Sequence, residues 1–302
     1  MSYDFSGKVV LITGSSAGIG AATAVGFARS GAQVVVTGRN GQRISAVGKQ
    51  CSDVSPNGLT ALEVTADVSK EVDCKQLIDS TVKAFHRLDV LVNNAGYGLS
   101  AGITDSQFGQ KLDDMFAANV KSATLLTQLS VEHLTKTNGN IINISSISAT
   151  QATPKLSGYC MTKSALDMFT KCMAVELGPK GIRVNTVSPG AVRTTARATR
   201  GEAPEDTDRF YQKVSDRYPV GRHGVPEDIG NVIMYLASKQ PEAYDSIKLV
   251  CEALKGAKNK LEVVIGLKKC LIEMKKLFTE MAQLPQYVLS CVESEMIAAD
   301  NT

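Results

Sequence analysis

In the stretch "SGYCMTKSALD", Ser157 to Asp167, a tyrosine and a lysine stand four residues apart with no acid between them. On a helix, residues at i and i+4 share a face about one turn apart, so the Tyr159 phenol would lie near the Lys163 ammonium. A cation at that range favours phenolate and lowers a tyrosine pKa from its reference of about 10. Such a pair could be an acid/base group and the residue that tunes it. On this spacing alone, a surface helix with an incidental Tyr and Lys is the plainer reading.

A second stretch, "TGSSAGIG" from Thr13 to Gly20, follows the apolar run "KVVLIT" and opens a segment of helical period. Glycines at 14, 18 and 20 let the backbone turn tightly and let a pyrophosphate approach amides at a helix N-terminus, where an anion is favoured. The next apolar run, "AQVVVTG", ends at Gly38 and Arg39, where many dinucleotide-binding units carry an acid for the ribose 2′-hydroxyl. A carboxylate there would repel a 2′-phosphate, whereas an arginine can grip it in a fork. The expected cofactor is therefore NADP rather than NAD.

These residues need a frame. From Lys8 onward, six β-branched runs alternate with helical segments: "KVVLIT", "AQVVVTG", "LTALEVT", "LDVLVNN", "GNIINIS" and, after Lys180, "IRVNTVS". That alternation predicts an α/β fold, a doubly wound parallel sheet of at least six strands with helices on both faces. Near-continuous apolar runs such as "VVLI" suit strands buried on both sides. The charged segment Arg193 to Arg222 carries Pro204 and Pro219 and reads as a lid with a short helix inside. "VPEDIGNVIMYLAS" reads as a helix opened by Pro226.

Beyond Arg222 no arginine occurs, and from Lys239 onward every basic residue is lysine. Tyr244, Ile247, Cys251 and Leu254 form one stripe at helical spacing, and Leu267, Leu271, Met274, Phe278 and Met281 form another. The expected organisation is a domain over 1–238, lid 193–222 included, and a mainly helical C-terminal extension over 239–302. Packing on the domain is the plain reading of those stripes; a partner or a membrane surface would suit them too.

Composition narrows the partners. A chain of 302 residues with 43% apolar residues and 25 glycines is of globular type, and a net charge of +3 is short of a nucleic-acid footprint. Seven cysteines with no CxxC pair, and three scattered histidines, offer no metal spacing, so reduced and mostly buried thiols are expected. No stretch of 18 apolar residues and no secretory leader is read, so the expectation is a cytoplasmic protein without a transmembrane segment.

The motifs occur together and in order: "TGSSAGIG", "ADV" at 66–68, "NNAG" at 93–96, "AANV" at 117–120, "NISS" at 143–146, "YCMTK" at 159–163 and "VSPGAVRT" at 187–194. From about Lys8 to Ser238 the chain resembles the short-chain dehydrogenase/reductase family, with its Rossmann-like fold. The resemblance implies that Tyr159 is the general acid/base and that Lys163 binds the nicotinamide ribose and lowers the tyrosine pKa. It further implies that Ser146, rather than Ser145, orients the substrate oxygen, and that Asn119 holds a water linking the lysine to solvent. Gly14, Ser16, Gly18, Ile19, Gly20 and Arg39 would form the phosphate side of the cofactor site, with Asp67 and Val68 at the adenine. Asn93, Ala95, Gly96, Pro189, Gly190, Val192 and Thr194 would line the rest, together with Tyr159 and Lys163.

The implied activity is hydride transfer between a nicotinamide cofactor and a small carbonyl or alcohol, with ketone, steroid, retinoid and acyl classes all open. The chain departs from the family after "LASKQ", where a seventh strand with a Thr-Gly turn is usual. "LEVVIG" at 261–266 could replace that strand, or helices could cover the edge; helices are the expectation. The altered end makes a tetramer doubtful and leaves a homodimer, through helices near 107–136 and 157–178. The alternative function is a nucleotide-binding scaffold inactivated by its altered C-terminus.

Overall fold

The computed structural model describes residues 3–195, 197, 202–218, 220–238 and 248–250. The six expected strands are present: β1 (Val9–Ile12), β2 (Gln33–Gly38), β3 (Leu62–Thr65), β4 (Val90–Asn93), β5 (Asn140–Ile144) and β6 (Arg183–Ser188). In β1, Val10 and Ile12 enter one apolar core while Val9 and Leu11 enter the other, the period-two alternation of a strand buried on both sides. The first core takes its helical residues from α1 (Gly18–Arg29), α2 (Gly41–Val54) and α8 (Pro226–Ala237). The second takes them from α3 (Glu71–Phe85), α5 (Ser122–Thr137) and α6 (Ser157–Leu177).

All pairings are parallel, in the order β3-β2-β1-β4-β5-β6-β7. The order reverses between β1 and β4, so a crevice opens outside the carboxyl ends of those two strands. The glycine turn after β1 and the "NNAG" segment after β4 border that crevice.

The seventh strand corrects the sequence reading. It is β7 (Lys248–Val250), paired with Thr186 to Ser188 of β6, and it lies inside the first stripe that was read as helical. Pairing along an exposed β6 edge satisfies backbone groups that a surface helix there would leave open, so tertiary context overrides the local pattern. "LEVVIG" and the second stripe, Leu267 to Met281, lie outside the described residues.

The lid segment contains α7 (Pro204–Arg217), with Pro204 at its first turn beside Glu205 and Asp206. Tyr211 Oη on this helix donates to the Val192 carbonyl at 2.8 Å, and the Ala191 N–H donates to Tyr218 Oη at 3.2 Å. α7 and the residue that ends it are thereby tied to the turn that follows β6. Among the described residues no helix is long and apolar enough to cross a membrane. The described cysteines are all free thiols: Cys51 and Cys74 are buried, but Cys160 is half-buried and Cys172 is exposed, against the expectation of burial.

Candidate active site

The glycine turn is held from both sides. Thr13 Oγ1 accepts the N–H groups of Asn94 and Ala95 at 2.9 Å each, and Asn94 Nδ2 donates to the Thr13 carbonyl at 2.8 Å. Ser15 Oγ, which donates to the Ile12 carbonyl at 2.7 Å, accepts from Thr37 N at 2.9 Å and ties the turn to the end of β2. At Gly20 a Cβ would stand 2.5 Å from Asn94 Nδ2 and 2.6 Å from the Gly14 carbonyl, so only glycine lets the "NNAG" segment close on the turn. A Cβ on Gly18 would meet Thr194 at 3.3 Å, so the segment after β6 reaches over the same turn.

On the opposite wall stand the four expected catalytic residues. Tyr159 and Lys163 occupy the first two turns of α6, with Lys163 Nζ 5.7 Å from the Tyr159 ring centroid. Lys163 is 4% exposed and donates to the Ile144 carbonyl at 2.8 Å. Ser145 Oγ donates to the Lys163 carbonyl at 3.2 Å and is thus committed to holding the helix. Ser146 Oγ accepts from Ser148 N at 3.1 Å, which leaves its hydroxyl proton for a ligand. This difference supports Ser146 over Ser145 as the substrate-facing serine.

Asn119 lies in a π-helical turn, Ala117–Lys121, between α4 (Phe108–Phe116) and α5. Such turns recur at functional sites because the extra residue re-aims a side chain. Its amide donates to the Tyr97 carbonyl at 2.8 Å and to Thr162 Oγ1 at 3.0 Å, and its oxygen accepts from Tyr97 N at 2.9 Å. With both N–H groups committed, the side chain can offer a water only its oxygen. A Cβ on Gly96 would stand 2.9 Å from that oxygen and 3.4 Å from Lys163 Nζ, so glycine leaves a cradle where both groups are within reach of a ligand.

Burial pushes the Lys163 ammonium down to about 8, against the attraction of Asp167 one turn on. An unfolded lysine titrates at about 10.4, so between these values the unfolded chain binds more protons than the folded one. Stability should therefore rise with pH across that window. Thermal melts of the wild type and Lys163→Met from pH 7 to 10 test this. The wild type should gain on the variant as pH rises; a constant difference contradicts a buried ammonium.

The remaining expected cofactor residues come just after the carboxyl ends of their strands, with one exception. Arg39 is exposed at the end of β2 and makes no hydrogen bond among the described residues. Burial alone would raise the Asp67 carboxyl, but bonds from Ser69 and the charges of Arg39 and Lys70 outweigh it and hold it below its ordinary value. Ser16 is half-buried beside Gly38, where a Cβ would meet its Oγ at 2.6 Å. Ile19, Val68 and Val192 are partly buried and pack on the two cores. The Pro189 carbonyl accepts from Ile147 N at 3.1 Å, and a Cβ on Gly190 would meet Tyr218 Oη at 2.9 Å.

The exception is Asn93. Its side chain is 4% exposed and donates to Asn143 Oδ1 at 2.9 Å, on the sheet face covered by α5 and α6. Only its backbone can border the crevice. Sequence reasoning also passed over Thr13, Asn94, Thr162 and Tyr218. The first three sit inside or beside the quoted motifs, which was their signal; Tyr218 had none.

Among the described residues no three His, Cys, Asp or Glu side chains gather as a metal site. A cavity of about 640 Å³ lies at the opposite ends of the strands, walled by Lys8, Asp89, Asn140 and Arg183 among others. Its charges are spent internally: Lys8 and Arg87 pair with Asp89 at 2.9 and 2.7 Å, and Arg183 donates to the Leu236 and Ser238 carbonyls. The chemistry-bearing residues lie at the other end of the sheet.

A family model described as enoyl-(acyl carrier protein) reductase matches residues 14–246. L-fucose dehydrogenase of Rattus norvegicus is 35% identical over 235 residues, 78% of this chain and 84% of the relative. The chain belongs to the short-chain dehydrogenase/reductase family. Glucose 1-dehydrogenase of Gluconobacter oxydans is 36% identical over 237 residues, 78% of this chain and 86% of that one. Among solved structures, a short-chain dehydrogenase/reductase from Caenorhabditis elegans with cofactor aligns at a TM-score of 0.76 and 36% identity, covering 82% and 94% of the two chains. L-sorbose reductase from Gluconobacter frateurii, complexed with NADPH and L-sorbose, aligns at 0.77 and 32%, covering 85% and 100%.

As a member of this family the chain is an NAD(P)-dependent oxidoreductase acting on small molecules. The inactive-scaffold alternative gives way to that assignment. The site fits the cofactor on its own features, since a Cβ would fill the cradle at Gly96 and the glycine turn brings the N-terminus of α1, which favours an anion, to the same strand ends.

Proposed function

We propose that this short-chain dehydrogenase/reductase interconverts a carbonyl and an alcohol with NADP, using Tyr159 as general acid/base. The observation that carries the reading is the buried Lys163 ammonium one helical turn from Tyr159, 5.7 Å from its ring centroid. In carbonyl reduction the Tyr159 phenol gives its proton to the substrate oxygen as the carbon is reduced, and in the reverse direction the phenolate takes it back. Lys163 lowers the cost of the phenolate by Coulomb attraction, and with one N–H on Ile144 it has two left for the ribose hydroxyls. Ser146 donates its unused hydroxyl proton to the substrate oxygen and so fixes the carbonyl toward Tyr159. The bound nicotinamide supplies or accepts the hydride.

Gly14, Ser16, Gly18, Ile19 and Gly20 would hold the pyrophosphate at the N-terminus of α1, and Arg39 with Ser16 the 2′-phosphate. Asp67 and Val68 would meet the adenine; Ala95, Gly96, Pro189, Gly190, Val192, Thr194 and the Asn93 backbone would line the remainder. Asn119 contributes by holding the loop after β4. The substrate would lie between the 97–106 loop, the 147–156 loop and α7.

Because relatives carry the names of sugar dehydrogenases and a sorbose reductase, ketoses and polyols are the first probes, followed by α-diketones and cyclic ketones. NADPH consumption by the full-length protein with these ketones, and NADP reduction with L-fucose and D-glucose, tests the reading. Turnover of at least one probe is expected; protein that binds NADPH yet turns over none of them counts against it.

A homodimer is part of the same reading. Met161, Met168 and Val175 recur every seven residues on one stripe of α6 and are 48%, 58% and 81% exposed, an apolar face that a second copy would cover. Light scattering should give twice the chain mass, and a monomer at all concentrations overturns it.

A further inference from the structure

Thr162 is wholly buried, and its hydroxyl is bonded in both senses. It donates to the Tyr159 carbonyl, one turn back on α6, at 2.8 Å, and accepts from Asn119 Nδ2 at 3.0 Å. The other Asn119 N–H goes to the Tyr97 carbonyl and its oxygen takes the Tyr97 N–H, so one amide clips three segments together: the π-helical turn, the loop after β4 and the first turn of α6. One residue further along that loop, a Cβ on Gly98 would stand 3.0 Å from the Tyr159 ring. The backbone of that loop therefore packs directly on the ring.

We propose that Thr162 is a positioning residue: through the Asn119 amide it fixes the Tyr97–Gly98 backbone against α6 and so holds the Tyr159 ring in place. The role rests on the reading of Tyr159 and Lys163 as the proton-handling pair. A fully satisfied buried network is rigid, and removing its hydroxyl leaves an Asn119 N–H unpaired at a buried position. With that anchor gone the Asn119 amide can turn, and its two bonds to the Tyr97 backbone turn with it.

Thr162→Val keeps the shape and removes the hydroxyl; Thr162→Ser keeps the hydroxyl. Two readouts apply to the full-length protein: hydrogen exchange at the Tyr97 amide, and the separate kcat, KM and NADPH Kd with whichever ketone probe the wild type reduces. In Thr162→Val the Tyr97 amide should exchange roughly 10-fold faster or more through local opening. Its kcat should fall roughly 10-fold, within the range that small misplacements cause, with KM and Kd unchanged. Thr162→Ser should restore both.

Unchanged Tyr97 exchange overturns the proposal whether or not the wild type shows turnover, as does kcat at the wild-type level in the valine variant, or failure of serine to rescue. A wild type that turns over no probe defeats the functional reading instead, and the exchange rate still decides the clip. Should Thr162→Val not fold, Thr162→Ala removes the same hydroxyl without placing a second methyl against the amide, and the same outcomes apply.

Discussion

Replacing Tyr159 with Phe should lower kcat by about 10²- to 10⁴-fold, the span a single positioned acid/base group contributes. NADPH affinity should stay close to the wild-type value. The substitution removes one oxygen and leaves the ring that packs on Gly98, so the loop after β4 keeps its contact. Lys163 keeps its bond to the Ile144 carbonyl and its free N–H groups, so its grip on a ribose would not depend on the phenol. Single-turnover reduction under excess protein measures the chemical step, and cofactor fluorescence measures binding in the same preparation. Wild-type turnover in the Tyr159→Phe variant would remove Tyr159 from the mechanism and leave the buried ammonium without a task.

The second large effect is on cofactor choice. Arg39→Ala should weaken NADPH binding roughly 10- to 150-fold while NADH binding stays unchanged, because a charged hydrogen bond contributes about 1.5–3 kcal/mol. Arg39 is exposed at the end of β2 and unbonded among the described residues, and the position before it is Gly38, with no room for a carboxylate until Ser16 Oγ moves. The site therefore lacks the acid that would hold a ribose 2′-hydroxyl and repel a phosphate there. An equal loss for both cofactors would mean that Arg39 supports the adenine through Asp67, whose carboxyl it stabilises, and does not read the phosphate.

Much of this was legible before the fold was known, for physical reasons. Strands buried on both faces must be apolar throughout, so "VVLI", "VVV" and "VLV" announced themselves, and the motifs, together and in order, carried the family resemblance. Helical period converted the Tyr159–Lys163 spacing of four into adjacency, but it was the family resemblance carried by the surrounding motifs that marked the pair as functional. Asn93 shows where motif reading stops: on β4 it shares a face with Leu91, so strand alternation sends its side chain to α5 and α6, away from the crevice.

Two features were hidden for different reasons. The π-helical turn at Ala117–Lys121 has the same apolar pattern as the helices around it; what distinguishes it is one extra residue per turn, which tertiary contacts through Asn119 select. "KLV" at 248–250 is too short to carry a period, and its neighbours Ile247 and Cys251 fit a helical stripe equally well. It is the open edge of β6, far away in sequence, that draws these three residues into the sheet.

Arg39, standing where an acid would hold the ribose 2′-hydroxyl, makes NADP the proposed cofactor of this oxidoreductase. The most direct test is a titration of the full-length protein with NADPH and, in parallel, with NADH, read from nicotinamide emission because the chain has no tryptophan. NADPH should bind at least about 10-fold more tightly, the lower end of what a charged bond from Arg39 contributes. Equal affinities, or tighter NADH, would contradict it.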